Sequence, residues 1–298
     1  MSHLKDVLES GKFAVTAEIS PPKSASCETI RKKAAMLKDC VDAVNLTDNQ
    51  TAIVRISSFA SSLACLQEGV EPILQMTCRD RNRIAMQSDV LGASAFGIHN
   101  VMCLSGDHQS FGNQKEAKNV YDVDSIQQLM IFNKMRCEGR VWGGDELKEK
   151  PELFLGAAAN PFADPFEFRV QRLAKKITAG ADFIQTQAVF DVERFRNFMS
   201  SVCDRGLDKK VHILAGVMPL KSYNMAEHMK NNVSGISLPD EMVSRMKSAA
   251  DPKEEGLAIC HETIEEIKKI KGVHGVHIMA ISWESVVPRI IEDAELRN

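Results

Sequence analysis

Short apolar runs alternate with longer stretches in which apolar residues recur every three or four positions, from one end of the chain to the other. The runs occupy residues 13–19, 42–47, 72–77, 99–104, 153–159, 182–187, 211–217 and 276–281. Their nearly unbroken hydrophobicity is what strands buried on both faces of a parallel sheet require. Between them the spacing predicts helices over 27–40, 52–68, 81–95, 124–137, 165–179, 192–203 and 223–231. Ser24 or Ser26 is placed to cap the first of these, and Gly69, Gly97, Gly180 and Gly206 fall where helix stops are expected. Strand–helix alternation repeated eight times without a linker predicts an α/β fold, a single (β/α)8 TIM barrel over residues 1–298. A doubly wound sheet is the competing architecture. It leaves edge strands, and the chain has neither GxGxxG nor GxxxxGK[ST] to mark a nucleotide turn.

Two intervals break the rhythm. Residues 105–151, after strand four, hold one helical pattern between polar loops. Residues 234–275, before strand eight, carry two extra helical patterns, around 239–249 and 252–270. Loops after strand C-termini build the active face of a barrel, so the first insertion is a candidate for function.

Composition narrows the function class. With 37 Lys+Arg against 40 Asp+Glu the net charge is −3, which gives no electrostatic case for nucleic acid. No apolar stretch approaches the roughly 20 residues that span a bilayer, and the opening MSHLKDVLESGKF lacks the apolar core of a signal peptide. The eight Cys residues are scattered, with no CxxC pair and no Cys/His zinc spacing. A reducing, cytoplasmic setting is expected, without a resident metal or Fe–S cluster.

Polar residues cluster at the predicted strand ends: Glu18 on strand one, Asn45 to Asn49 on strand two, Gln75 and Thr77 on strand three, Ser105-Gly106-Asp107 after strand four, and Gln185 to Gln187 on strand six. Glu18 inside an apolar strand is either half of a structural ion pair or an acid with a raised pKa. Asp107 after Gly106 suits a turn as well as a site. Arg79, Arg81 and Arg83 beside Asp80 form a solvated helix start or a phosphate site. His274 and His277, at the entry to the last strand, are expected to be structural.

Six blocks together resemble the 5,10-methylenetetrahydrofolate reductase family, in family order. They are AEISPPK (17–23), NLTDN (45–49), QMTCRDRN (75–82), LSGD (104–107), AGADFIQTQAVFD (179–191) and AGVMPL (215–220). The resemblance implies a flavoprotein barrel that reduces methylenetetrahydrofolate with FAD, fed by NAD(P)H or by a partner electron-transfer subunit, and forming a homo-oligomer. It implies Glu18 as the acid that opens the imidazolidine ring and Asp107 as a second catalytic carboxylate near the flavin. Thr47, Gln75, Ser105 and Gly106 would line the flavin ring, and Tyr121 and Asp122 would cover its adenosine. Ala158, Asn160, Asp164 and Lys176 would grip its ribityl and pyrophosphate groups. Gln187 and Tyr223 would contact substrate. Three departures stand out: Ser105 replaces the usual Arg before GlyAsp, Gln75 replaces a common His, and the loop after strand five has Asn160 where many relatives place an aromatic before Pro. A flavin-free pterin-binding methyltransferase and a barrel subunit of a larger redox complex are the alternative readings.

Overall fold

The computed structural model describes residues 2–233 and 235–297. Eight parallel strands close into a barrel in the order β1 to β8: Ala14–Ile19, Ala43–Leu46, Pro72–Thr77, Asn100–Leu104, Phe154–Ala159, Phe183–Ala188, His212–Val217 and Gly275–Ile278. The seam is the β1/β8 pair, in register from Ala14↔Gly275 to Ala17↔Ile278. Each predicted strand is present, with ends that move by up to three residues.

Helices ring the barrel: α2 (Glu28–Leu37), α3 (Ser58–Gln67), α4 (Arg83–Ala95), α5 (Ser125–Glu138), α6 (Phe166–Thr178), α7 (Val192–Asp204) and α8 (Tyr223–Asn232). The buried faces of α2 to α7 and the outward faces of the strands form one large core, while Ala226 and Met229 of α8 pack in a separate cluster with Ala188, Phe190, Met218 and Leu220. Two further helices, α9 (Asp240–Ser248) and α10 (Pro252–Lys268), lie before β8 as the patterning predicts. The first cap differs from expectation. Cys27 occupies the N-cap of α2 without a side-chain bond, while Ser26 Oγ accepts from Glu28 N at 3.3 Å.

Two helices escaped the periodicity reading. α11 (Val287–Asp293) is one short amphipathic turn region after β8. α1 (His3–Glu9) is seven residues long, and its Leu4 and Leu8 pack against Ala14, Ala43, Ile73, Met102, Phe154, Phe183 and Leu214. It therefore plugs the N-terminal end of the barrel. Glu71 holds it there, accepting from Ser2 Oγ at 2.8 Å, His3 N at 2.6 Å and Leu4 N at 3.2 Å. A carboxylate at a helix N-terminus satisfies orphan N–H groups and complements the dipole. Among the described residues, no helix is long and apolar enough to cross a membrane.

Candidate functional site

Within the barrel, side chains alternate inward along each strand, so residues two apart stack in tiers. Above the apolar tier that meets α1 lies a polar one: Thr16, Asn45, Gln185 and His277, each at most 3% exposed. Gln185 and Asn45 exchange amide hydrogen bonds, Asn45 Nδ2 donating to Gln185 Oε1 at 2.6 Å and Gln185 Nε2 to Asn45 Oδ1 at 3.0 Å. Gln185 Nε2 also donates to Thr16 Oγ1 at 3.2 Å, and Thr16 Oγ1 lies 3.0 Å from His277 Nδ1. Four polar residues thus satisfy one another in a volume closed to water.

Glu18 stands one tier higher on β1, its side chain 11% exposed and its Oε2 4.0 Å from His277 Nε2. Burial raises its carboxyl pKa to about 7; Glu284 adds to the rise by repulsion, and a hydrogen bond from Gln75 opposes it. His277 is no ionic partner, because burial pushes its pKa down to about 3. The ion-pair reading of Glu18 is therefore displaced by the raised-acid reading. His277, expected to be structural, faces the site. Glu284, in the turn after β8, is buried and salt-bridged to Lys33 at 2.5 Å; neither residue was singled out in the sequence, where nothing marks a distant turn as facing β1.

At the rim, Asp48 ties the ends of β2 and β3 by accepting from Thr77 N and Oγ1, both at 2.9 Å, and from Arg81 at 2.6 Å. Arg79 is buried and chelated by Asp80 at 2.6 and 2.8 Å, while Arg83 pairs with Asp122 at 2.7 Å. All three arginines are thus tied into carboxylate pairs, and Asp122 fastens the insertion to the start of α4. Tyr121 donates to the carbonyl of Gly106 at 3.2 Å. Gly106 has φ +85°, and a Cβ there would come within 3.0–3.2 Å of Thr77 and Arg79, which accounts for glycine before Asp107. Asp107 is exposed; its Oδ2 accepts from Thr51 N at 3.2 Å, joining the loops after β4 and β2. Ser105 is half-buried beside it.

A second recess lies beside β5 and β6. Ala158, Ala159, Asn160, Arg169, Arg172 and Lys176 line it together with Gln187, around a cavity of about 150 Å³. Lys176 is buried, donates to the carbonyl of Ala158 at 2.5 Å, and has its pKa lowered to about 8, by burial first and then by Arg172. The β6/β7 register shifts between Gln185 and Ala188, and Gln187 emerges exposed while its neighbours are buried. Four of the expected residues, Ala158, Asn160, Lys176 and Gln187, converge here. Arg169 and Arg172 were missed because on α6 they look like an ordinary solvated face. Asp164 instead pairs with Arg194 at 2.9 Å on the surface, and Tyr223, at the start of α8, bonds Glu227 under Lys247. Thr47, at the end of β2, is buried with a hydroxyl that finds no partner.

The sequence matches the family model for methylenetetrahydrofolate reductase over residues 3–295. It is 25% identical over 271 residues to methylenetetrahydrofolate reductase 2 of Schizosaccharomyces pombe, covering 85% of this chain and 40% of that one. The 5,10-methylenetetrahydrofolate reductase of Pectobacterium carotovorum is 23% identical over 242 residues, covering 78% and 73%. The chain thus spans less than half the length of the yeast relative. Among solved structures, the same barrel is seen at TM-score 0.72 and 17% identity, over 98% of this chain and 99% of the other, in an uncharacterized protein from Clostridium thermocellum that binds two copies of 5-methyl-5,6,7,8-tetrahydrofolic acid. With a family match spanning nearly its whole length and a closed eight-stranded barrel, this chain belongs to the methylenetetrahydrofolate reductase family.

Proposed function

We propose that the chain reduces 5,10-methylenetetrahydrofolate to 5-methyltetrahydrofolate, with FAD as bound cofactor and Glu18 as the acid. The observation that carries this reading is a buried carboxyl group with a pKa near 7 at the mouth of a barrel of this family. Opening the imidazolidine ring requires a proton at N10, and a group that ionises near neutrality holds that proton and still releases it. When the proton leaves, Gln75 donates to the resulting carboxylate. The ring-opened substrate carries positive charge at its N5 iminium, and Asp107 adds negative charge at the rim, the sign that favours that cation. Gln187 offers an amide to the pterin from the exposed turn of β6.

The residues present fit the cofactor. The partnerless hydroxyl of Thr47 suits a flavin-ring contact. The recess of Lys176, Arg169 and Arg172 presents three cations, of which Lys176 is buried with only a carbonyl partner, and suits a pyrophosphate. Asn160 would hold the adjoining ribityl chain. When bound, FAD supplies the hydride that reduces the iminium carbon. The methyltetrahydrofolate binding described for the Clostridium thermocellum protein supports the substrate class.

Anaerobic mixing of the FAD-loaded, reduced protein with methylenetetrahydrofolate tests the reading. Flavin reoxidation by the native protein and a loss of at least 100-fold in Glu18→Gln, with FAD still bound, is the expected result. A protein that gains no flavin bands with added FAD, or a variant as fast as the native chain, would sink it. Running the reductive half with NADH, NADPH and reduced ferredoxin identifies the donor.

A further inference from the structure

β6 and β7 keep a regular register up to Gln185↔Leu214, and the next pair is Ala188↔Gly216. β6 thus takes three steps where β7 takes two, the count that makes a β-bulge. A bulge re-aims a side chain, and Gln187 is the exposed residue of a strand otherwise buried. The slip also takes backbone groups out of the ladder, and a buried N–H must then find another acceptor. Here the acceptor is a side chain. The N–H of Gly216 donates to Thr186 Oγ1 at 2.9 Å, and the hydroxyl donates in turn to the carbonyl of Gln187, also at 2.9 Å. A backbone N–H can only donate and a carbonyl can only accept, so the direction of both bonds is fixed. Thr186 itself is 3% exposed. We propose that Thr186 is a positioning residue for substrate: its hydroxyl, held between the Gly216 N–H and the Gln187 carbonyl, fixes the bulge that presents the Gln187 amide to the pterin. The role rests on the reading of Gln187 as a substrate contact.

Gly216 is the other half of the device. A Cβ there would run into the Thr186 carbonyl oxygen and come within 2.9 Å of the Gln187 carbonyl carbon, so glycine is what lets β7 lie this close to the bulge. Beyond it the ladder resumes, Val189 N donating to the Gly216 carbonyl at 2.8 Å. Valine at 186 has the shape of threonine without the hydroxyl. It would leave the Gly216 N–H buried with no acceptor, a cost larger than the worth of the bond itself. The relief open to β6 is a return to the regular ladder, and a one-residue change of register turns a side chain to the other face. The hydroxyl therefore acts on substrate through Gln187, without touching it.

The test uses the full chain, loaded with FAD and reduced, mixed anaerobically with methylenetetrahydrofolate at varied concentration. Thr186→Val should raise the half-saturating concentration about fivefold, the worth of one neutral hydrogen bond, and change the limiting rate of flavin reoxidation by less than about twofold. Thr186→Ser, which keeps the hydroxyl, should restore the native value. Gln187→Ala should raise it by the same factor, and Thr186→Val on that background should add nothing, because both act through one contact. Cross-strand backbone NOEs read the register without substrate. Gly216 should lie opposite Ala188 in the native protein and in Thr186→Ser, and this pairing should be lost in Thr186→Val. Thr186→Cys, close in size and a weaker acceptor, carries the same comparisons if Thr186→Val does not fold. A half-saturating concentration that Thr186→Val leaves unchanged, or raises further on the Gln187→Ala background, would overturn the proposal. A native-like Gln187→Ala would remove Gln187 as a substrate contact and the substrate role of Thr186 with it, while the pairing of Gly216 would still show whether the hydroxyl holds the bulge.

Discussion

Glu18 shows how one residue is made expensive for a purpose. Its carboxyl pKa is raised from 4.5 to about 7, chiefly by burial, so the folded protein holds a proton that the unfolded chain releases. Below pH 4.5 both states are protonated and the group costs nothing. Above about pH 7 the folded state carries the full penalty of a buried charge, about 3 kcal/mol at ~1.4 kcal/mol per pH unit. Glu18→Gln should therefore unfold in urea at higher midpoint than the native protein at pH 8 and at the same midpoint at pH 4. Equal behaviour at both pH values would mean the carboxyl is not perturbed. Thr47, with its partnerless buried hydroxyl, is a smaller case of a polar group whose burial costs stability.

At the level of elements, the site is assembled by strand ends and fastened by the loops between them. Asp48 and Arg81 knit β2 to β3, and Arg83 with Asp122 pins the insertion after β4 onto α4. Helix α6 contributes the cationic recess through residues at i, i+3 and i+7 of one face, Arg169, Arg172 and Lys176. Lys176→Met keeps the length and burial of the side chain but removes its charge. It should weaken FAD binding about tenfold in a flavin-fluorescence titration, with the circular dichroism unchanged. Because the Lys176 pKa falls to about 8, the native protein's FAD affinity should drop as pH rises past that value, and the variant should lose this dependence. A variant that binds FAD as tightly as the native chain would remove the phosphate from this recess.

For the whole molecule, the barrel must be filled below and polar above. Phe183 stacks on Phe154 with ring centroids 5.1 Å apart, and it fits because β5 has Gly156 opposite, where a Cβ would fall 2.3–2.8 Å from the ring. Gly156→Val should cost about 2 kcal/mol of unfolding free energy by overpacking, seen as a lower urea midpoint; no change would show the lower tier to be loosely filled. α1 completes the same tier from below. The pockets of 340 and 420 Å³ lie at that end of the barrel, lined by α1, by the first residues of β5 and β7 and by the segments that lead into the strands.

Eight strands, their order and the two interruptions followed from hydrophobic period alone, because a strand buried on both faces and a helix buried on one leave different linear patterns. The blocks around Glu18, Asp107 and Gln187 identified the family because each block is contiguous in the chain. The rest depends on closure. α1 is too short for its two leucines to make a period, and only the open barrel end gives them something to cover. His277 on β8 meets Thr16 on β1 because the sheet closes, across 261 positions of sequence. Glu284 and Lys33 come to bear on Glu18 for the same reason, and Arg169 and Arg172 become a recess only when α6 lies against the end of β5. The sequence by itself determined which residues are acidic, basic or apolar and in what rhythm. Burial, and with it the charge each group carries at neutral pH, was decided by the closed tertiary structure, since desolvation depends on neighbours that linear spacing does not name.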